Sequence, residues 1–233
     1  MIIWLASYPR SGNTFFRMVL NHRYGIQTLS VYEDRKVGLD GISDIVGHAD
    51  ASQHLEDIAS SDELYFVKTH EPPHDYNPAI YLIRDGRDAI ASYTQYKLSF
   101  KRSPWMTIRK KFTPHIGLRV MKDLVLSYDD YGGWSWHVQQ WRQRPGTVII
   151  LKYEDLLKNP LEKTDRVIRQ LGAPMKPVCL DPMPEFKQLH SASPHFFRKG
   201  RSGSWRDEMP DRLHELFWQY HGQVMTELGY SRS

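Results

Sequence analysis

Apolar residues recur along this chain with two alternating periods. Ile2–Ser7 is a continuous run rich in Ile, Trp and Leu, which predicts a buried strand. Tyr8–Asn13 carries Pro9 and Gly12 and reads as a turn. Thr14–Arg23 then shows helical spacing, with Phe15, Met18 and Val19 on one face. Residues 25–62 are weakly patterned and acidic, and predict loops and short helices. Leu64–Lys68 and Ile80–Arg84 are short apolar runs that end in basic residues. A helix over Asp88–Leu98 follows, with Asp88 as its N-cap. Residues 97–122 predict helix broken by loops. Gly133–Arg144 predicts a helix with Trp134, His137, Val138 and Trp141 on one side. The β-branched run Val148–Lys152 predicts a strand, Leu161–Leu171 a helix, the Pro-rich stretch 173–184 a loop, and residues 211–228 a last helix. Strands alternating with helices predict an α/β protein with a central parallel sheet flanked by helices. Such sheets collect ligands at the carboxyl ends of their strands. The residues just after each strand therefore carry the functional reading.

Composition narrows the picture. Hydrophobic residues make up 40% and charged residues 25% of 233, an ordinary globular balance that predicts one domain over residues 1–233. Cys179 is the only cysteine, which excludes an intrachain disulfide and a Cys-rich zinc site. No apolar run approaches the ~18 residues of a membrane span, and MIIWLASYPR lacks the basic start of a signal peptide. The chain reads as soluble and cytoplasmic. Its 31 Lys+Arg against 27 Asp+Glu give a net charge of +4, which fits an anionic ligand without calling for nucleic acid.

After the first strand comes Tyr8-Pro9-Arg10-Ser11-Gly12-Asn13-Thr14-Phe15. A strand, a short Gly-containing loop and a helix start present backbone N–H groups and a positive dipole end to an anion. Arg10 adds charge, and Ser11 and Thr14 add hydroxyl donors. The ATP-binding loop G-x-x-x-x-G-K-[ST] is absent, because there is one glycine and no Gly-Lys pair. After the second strand comes Lys68-Thr69-His70-Glu71-Pro72-Pro73-His74. His70-Glu71-x-x-His74 matches the zinc-protease pattern, but Pro72 and Pro73 oppose the helix that pattern needs. His70 reads better as a general base at a strand end. Arg84 and Ser92, eight residues apart, can converge on one phosphate; a surface Arg–Asp cluster capping a helix is the plainer alternative. Tyr153-Glu154-Asp155 follows the fourth strand, and alone it reads as a helix start. Arg198-Lys199-Gly200-Arg201-Ser202-Gly203-Ser204-Trp205 reads as a basic loop that could close over an anion or stay solvated.

Taken in order, these segments resemble the PAPS-dependent sulfotransferase family (PAPS is 3'-phosphoadenosine 5'-phosphosulfate), from about Ile3 to Trp205. The resemblance implies a three-layer P-loop-like α/β fold. The first loop looks like the family's Y-P-K-S-G-T-T-W, with Arg10 in place of Lys and Phe15 in place of Trp. This assigns Arg10, Ser11, Gly12, Asn13 and Thr14 to the 5'-phosphate and sets Phe15 beside the adenine. Lys68-Thr69-His70 looks like K-T-H, which makes His70 the general base and has Lys68, with Arg10, stabilise the transferring group. Arg84 and Ser92 match the 3'-phosphate pair, Tyr153 a residue near the adenine, and Arg198, Lys199 and Gly200 the R-K-G that binds the 3'-phosphate. The family's G-D-W is Gly203-Ser204-Trp205 here. The implied reaction moves a sulfuryl group from PAPS to an acceptor hydroxyl and releases adenosine 3',5'-bisphosphate, with no metal. The rivals are a small-molecule kinase using ATP and a non-catalytic nucleotide or polyanion module, the latter favoured by eight Lys/Arg in 97–122. The acceptor is expected to be a small molecule, glycan or natural product, selected by residues 25–62 and 97–130. Phe100, Trp105, Phe112 and Trp136 are candidates for the walls of its pocket.

Overall fold

The structure, a computed structural model, describes residues 1–32, 43–49, 58, 61–100, 114–173, 175–183, 190–191 and 200–233, with backbone only for Ser43, Phe100 and Pro114. Five parallel strands form one sheet: β1 (Ile2–Ser7), β2 (Thr28–Ser30), β3 (Tyr65–Thr69), β4 (Ala79–Ile83) and β5 (Val148–Lys152). Their order is β2-β3-β1-β4-β5. The chain leaves β1 in one direction for β2 and β3, then returns past β1 to β4 and β5. The order thus reverses around β1, the position where open α/β sheets form a ligand crevice. Register pairs Ile3 with Phe66 and Leu5 with Ile80, so β1 is enclosed on both edges.

The helices are α1 (Asn13–Tyr24), α2 (Ser43–Val46), α3 (Gly86–Phe100), α4 (Pro114–Val125), α5 (Trp134–Gln143), α6 (Tyr153–Lys158), α7 (Pro160–Gln170) and α8 (Asp211–Glu227), with a 3-10 turn at Ser204–Asp207. Strand side chains alternate between two cores because the strand period is two. Ile2, Trp4, Ala6, Ala79, Tyr81 and Ile83 pack with Ile90, Leu124, Trp134, Trp141 and Phe217 from α3, α4, α5 and α8. Ile3, Leu5, Phe66, Ile80 and Leu82 pack with Phe16, Leu20, Leu156, Val167 and Ile168 from α1, α6 and α7. Helices on both faces make a three-layer α/β/α arrangement, as the alternation of elements predicts.

Four expectations need correction. The edge strand β2 lies inside the weakly patterned 25–62 region; it has three residues, and two of them, Thr28 and Ser30, are buried polar residues with no apolar signature. In α1, Met18 and Val19 are buried as expected, but Phe16 and Leu20 join them and Phe15 is only partly buried. A short helix, α6, precedes α7 where one helix was expected. Finally, α3 starts at Gly86 and its cap is Asp85, not Asp88: the Asp85 carboxylate accepts the Arg87 N–H at 2.9 Å.

Gly86 opens α3 where the helix crosses α5 and α8. A Cβ at this position would lie 2.7 Å from the Trp134 ring and 2.9 Å from Phe217. Gly86→Ala is expected to lower stability by about 1–3 kcal/mol through overpacking, read as an earlier urea midpoint with an unchanged slope.

Candidate active site

Because all strands are parallel, Ser7, Thr69, Ile83 and Lys152 end on the same edge of the sheet. The residues that follow them form one rim. The turn after β1 holds Arg10 at φ 66 and Gly12 at φ 101. The left-handed region costs a non-glycine residue of order 1–3 kcal/mol, so Arg10 is held there by its surroundings. At Gly12 a Cβ would sit 2.4 Å from Tyr153 Cδ2, so only glycine lets the Tyr153 ring close under the turn. Asn13 fixes the start of α1 by donating from Nδ2 to the Leu5 carbonyl at 2.7 Å. No side chain caps α1, and its first turn holds no acid. The positive end of its dipole therefore faces the rim uncompensated by a carboxylate of its own. The buried Ser11 hydroxyl has no hydrogen-bond partner.

Arg10 bridges the rim. Its Nε donates to Ser92 Oγ at 3.2 Å, its guanidinium stands 5.1 Å over the Tyr96 ring, and its carbonyl accepts from Arg84 Nη1 at 3.2 Å. Arg84 lies 4.6 Å over the Tyr153 ring and donates from Nη2 to the Arg201 carbonyl at 3.3 Å. The same Nη2 sits 3.7 Å from Asp88, and Nε is buried without a partner. Burial raises the Tyr153 pKa, with Arg84 opposing, so the phenol stays neutral. Glu154 ties this corner together by accepting from the Asp85 N–H at 3.0 Å and the Tyr230 hydroxyl at 2.9 Å. Its pKa is raised by burial.

His70 stands across the rim, after β3. Its Nδ1 contacts the Ser7 carbonyl at 2.7 Å. A carbonyl only accepts, so Nδ1 carries the proton and Nε2 is the basic nitrogen. The ring stacks on Tyr32 at 5.6 Å and meets the edge of Tyr131 at 6.0 Å. The Tyr32 hydroxyl accepts the His70 N–H at 2.9 Å. Lys68 is nearly buried, with Nζ 5.5 Å from the Tyr32 ring. Burial raises the pKa of Tyr32 and Tyr131, so neutral phenols flank the histidine. Behind it, His137 Nε2 donates to the His70 carbonyl at 2.8 Å, while Nδ1 accepts from the Tyr81 hydroxyl at 2.7 Å. Desolvation drives the His137 pKa down to about 4, so it stays neutral and joins β4 to the end of β3.

The predicted residues Arg10, Ser11, Gly12, Asn13, Thr14, Phe15, Lys68, His70, Arg84, Ser92 and Tyr153 thus gather around one edge, with Phe15 at 6.5 Å from Tyr153. Gly200 begins the last described segment, with φ 56; Arg198 and Lys199 lie outside the described residues. Of the expected pocket walls, Trp105 and Phe112 and the Phe100 side chain lie outside the description. Trp136 is 43% exposed and packs on Gly132. The aromatic surround of His70 consists instead of Tyr32 and Tyr131, with Tyr96 beside Arg10. Of these, only Tyr32 follows a strand end; Tyr96 lies inside α3 and Tyr131 between α4 and α5, where no local pattern marks them. Asp129 was also missed; it accepts from the Tyr8 hydroxyl at 2.7 Å and the Tyr131 N–H at 2.8 Å. Residues 70–78 form no helix, and His74 packs against Trp4, so the H-E-x-x-H spacing makes no metal site. Among the described residues no three His, Cys, Asp or Glu side chains cluster to hold a metal ion, and no helix is long and apolar enough to cross a membrane.

The sequence profile of the sulfotransferase domain matches residues 2–229. The chain belongs to the sulfotransferase family. It is 25% identical over 240 residues to human sulfotransferase 4A1, covering 96% of this chain and 80% of that one. It is 22% identical over 264 residues to rat sulfotransferase 1A1, covering 97% and 85%. Among solved structures, mouse sulfotransferase SULT7A1 complexed with PAP matches with a TM-score of 0.60 at 18% identity, over 97% of this chain and 88% of that one. Retinol dehydratase in complex with androsterone and inactive cofactor PAP matches with a TM-score of 0.63 at 17% identity, over 97% and 81%. The sulfotransferase is therefore built on the P-loop-like α/β fold shared with these structures.

The buried histidines make stability pH-dependent. His137 and His221 are both lowered to about 4 by desolvation, below the 6.5 of the unfolded chain. Between these values the unfolded chain binds more protons, so stability is full above pH 6.5 and falls as the pH drops towards 4. Urea unfolding from pH 7 to 5 should show a falling midpoint, and His137→Gln should make the fall shallower.

Proposed function

We propose that this sulfotransferase, as a single cytoplasmic domain, transfers the sulfuryl group of PAPS to the hydroxyl of a small molecule, with His70 as general base. The single observation that carries this reading is the meeting of the α1 start, the Arg10–Ser92–Arg84 cluster and His70 on one rim. The fit of the nucleotide is supported by two buried polar atoms without partners there, Ser11 Oγ and Arg84 Nε, and by the glycine at residue 12. PAPS supplies the activated sulfuryl group, and adenosine 3',5'-bisphosphate is what remains of it.

Each residue then has a task. The N–H groups of the turn and α1, with Arg10, Ser11, Gly12, Asn13 and Thr14, hold the 5'-phosphate, where a helix dipole and a guanidinium act together. Arg84 and Ser92, with Arg198, Lys199 and Gly200, hold the 3'-phosphate. Phe15 and Tyr153 flank the adenine. His70 Nε2 takes the acceptor proton, since Nδ1 is committed to Ser7 O; the imidazolium formed keeps that bond. Lys68 and Arg10 stabilise negative charge that grows as the sulfur–oxygen bond breaks. The rings of Tyr32 and Tyr131 exclude water beside His70 and favour an acceptor whose hydroxyl sits on an apolar body.

His70→Ala is expected to lower turnover by about 10²–10⁴-fold, the usual worth of a general base, while adenosine 3',5'-bisphosphate still binds with near wild-type affinity by calorimetry. Near-normal turnover would remove His70 from the mechanism. Arg84→Ala should weaken nucleotide binding by roughly 1.5–3 kcal/mol for each charge-assisted hydrogen bond lost. In a thermal-shift comparison, adenosine 3',5'-bisphosphate should raise the Tm and ATP with Mg²⁺ should not; the reverse result would favour a kinase.

A further inference from the structure

We propose that Asp88 is a positioning residue: it anchors the 3-10 turn that ends the basic C-terminal segment and orients Arg84, and so sets recognition of the nucleotide's 3'-phosphate. The ligand in this proposal rests on the PAPS reading above; the anchor does not.

Asp88 is fully buried in the first turn of α3. A carboxylate out of water is costly unless its lone pairs are occupied by donors. Three donors come from one distant segment. The Gly203 N–H lies 2.7 Å from Oδ2, and the Ser204 hydroxyl and Trp205 N–H lie 3.1 and 2.9 Å from Oδ1. Gly203 is the cap of the Ser204–Asp207 turn and brings no side-chain cap of its own. Asp88 supplies that cap from across the fold. Ser204 stands where the resemblance leads one to expect Asp, and its hydroxyl donates to Asp88, where a second carboxylate would repel it.

The same carboxylate acts on Arg84. Asp88 Oδ2 is 3.7 Å from Arg84 Nη2, and that nitrogen also donates to the Arg201 carbonyl at 3.3 Å. The carboxylate and the guanidinium thus grip residues 201–205 from both sides. Trp205 adds a fixed seat, 4.0 Å from the Arg87 guanidinium and stacked on His214 at 4.8 Å. Arg198 and Lys199 precede the anchored Gly203 by only five and four residues. Loss of the Asp88 charge therefore removes the carboxylate beside Arg84 and unpins the turn that carries the Arg201 contact, while His70 and the α1 start keep all their contacts.

The test compares Asp88→Asn and Ser204→Ala with the wild-type chain. Amide hydrogen exchange over residues 200–207 reads the anchor. Calorimetry with adenosine 3',5'-bisphosphate and with 5'-AMP, which lacks the 3'-phosphate, reads the coupling. In Asp88→Asn, exchange at 203–205 should quicken, and affinity for the bisphosphate should fall about tenfold, equal to about 1.4 kcal/mol. Affinity for 5'-AMP should stay near wild type. Ser204→Ala should move the same way by less, and carries the test alone if Asp88→Asn does not fold. Unchanged exchange at 203–205 would overturn the anchor. Faster exchange with equal losses for both nucleotides, or with no loss, would overturn the link to the 3'-phosphate. A wild-type chain that binds neither nucleotide would overturn the PAPS reading and with it the link, while the exchange result would still decide the anchor.

Discussion

The stationing of Arg84 is the constraint around which the rim is organised. A guanidinium that is 8% exposed needs partners in place of water. It receives the Arg10 carbonyl from the first turn, the Arg201 carbonyl from the C-terminal segment, Asp88 from the first turn of α3 and the Tyr153 ring beneath. Four separate stretches of chain meet at this one cation. Several features follow from that meeting. Gly12 must lack a side chain because Tyr153 has to reach under the turn. Asp88 is tolerated without solvent because its donors come from residues 203–205. Glu154 keeps α6 in place through the Asp85 N–H and the Tyr230 hydroxyl, linking β5 to the start of α3 and to the C-terminus.

The other half of the site is held by neutral groups. Tyr81, His137 and the His70 carbonyl form a chain of hydrogen bonds in which each member has one available role. Buried networks of this type are costly when incomplete and specific when complete. Here the network fixes the backbone of His70 while Ser7 O fixes its ring, so orientation and tautomer have separate causes. A corner of guanidiniums thus meets a corner whose rings are neutral, with the Lys68 ammonium 5.5 Å from the Tyr32 ring. That arrangement suits a reaction in which a proton leaves near the rings and negative charge collects beside the cations.

What could be read from the residues alone was whatever obeys a short-range rule. The run Ile2–Ser7 and the Pro-Arg-Ser-Gly stretch after it declare a strand and a turn into a helix without reference to any other segment, and the fold bears those elements out. β2 escaped because three residues, two of them polar, carry no period. Asp88 was misread for a related reason. By local rules an acid at a helix start is a cap, and the nearer Asp85 fills that role. The true partners of Asp88 lie 115 to 117 residues away, beyond any window of sequence pattern. His137 was legible as one residue of an apolar face and not as a hydrogen-bonding link, since both descriptions give it the same spacing. The aromatic surround of His70 shows the same limit: Tyr32 and Tyr131 reach it from different connections, which only the parallel topology brings together.

Arg10 shows how a site can change a residue and keep its logic. The resemblance leads one to expect Lys there, a point charge on a flexible stem. The guanidinium instead lies over Tyr96 and donates from Nε to Ser92, which fixes its plane. An ammonium has no plane to stack and no fork to divide between two partners. The left-handed backbone at Arg10 turns its carbonyl to Arg84, so one residue serves the cluster from both main chain and side chain. Substituting Lys would preserve the charge and the carbonyl contact but release the link to Ser92. The difference between the two residues is therefore one of geometry, and it falls on the side of the rim that carries Ser92 and Arg84.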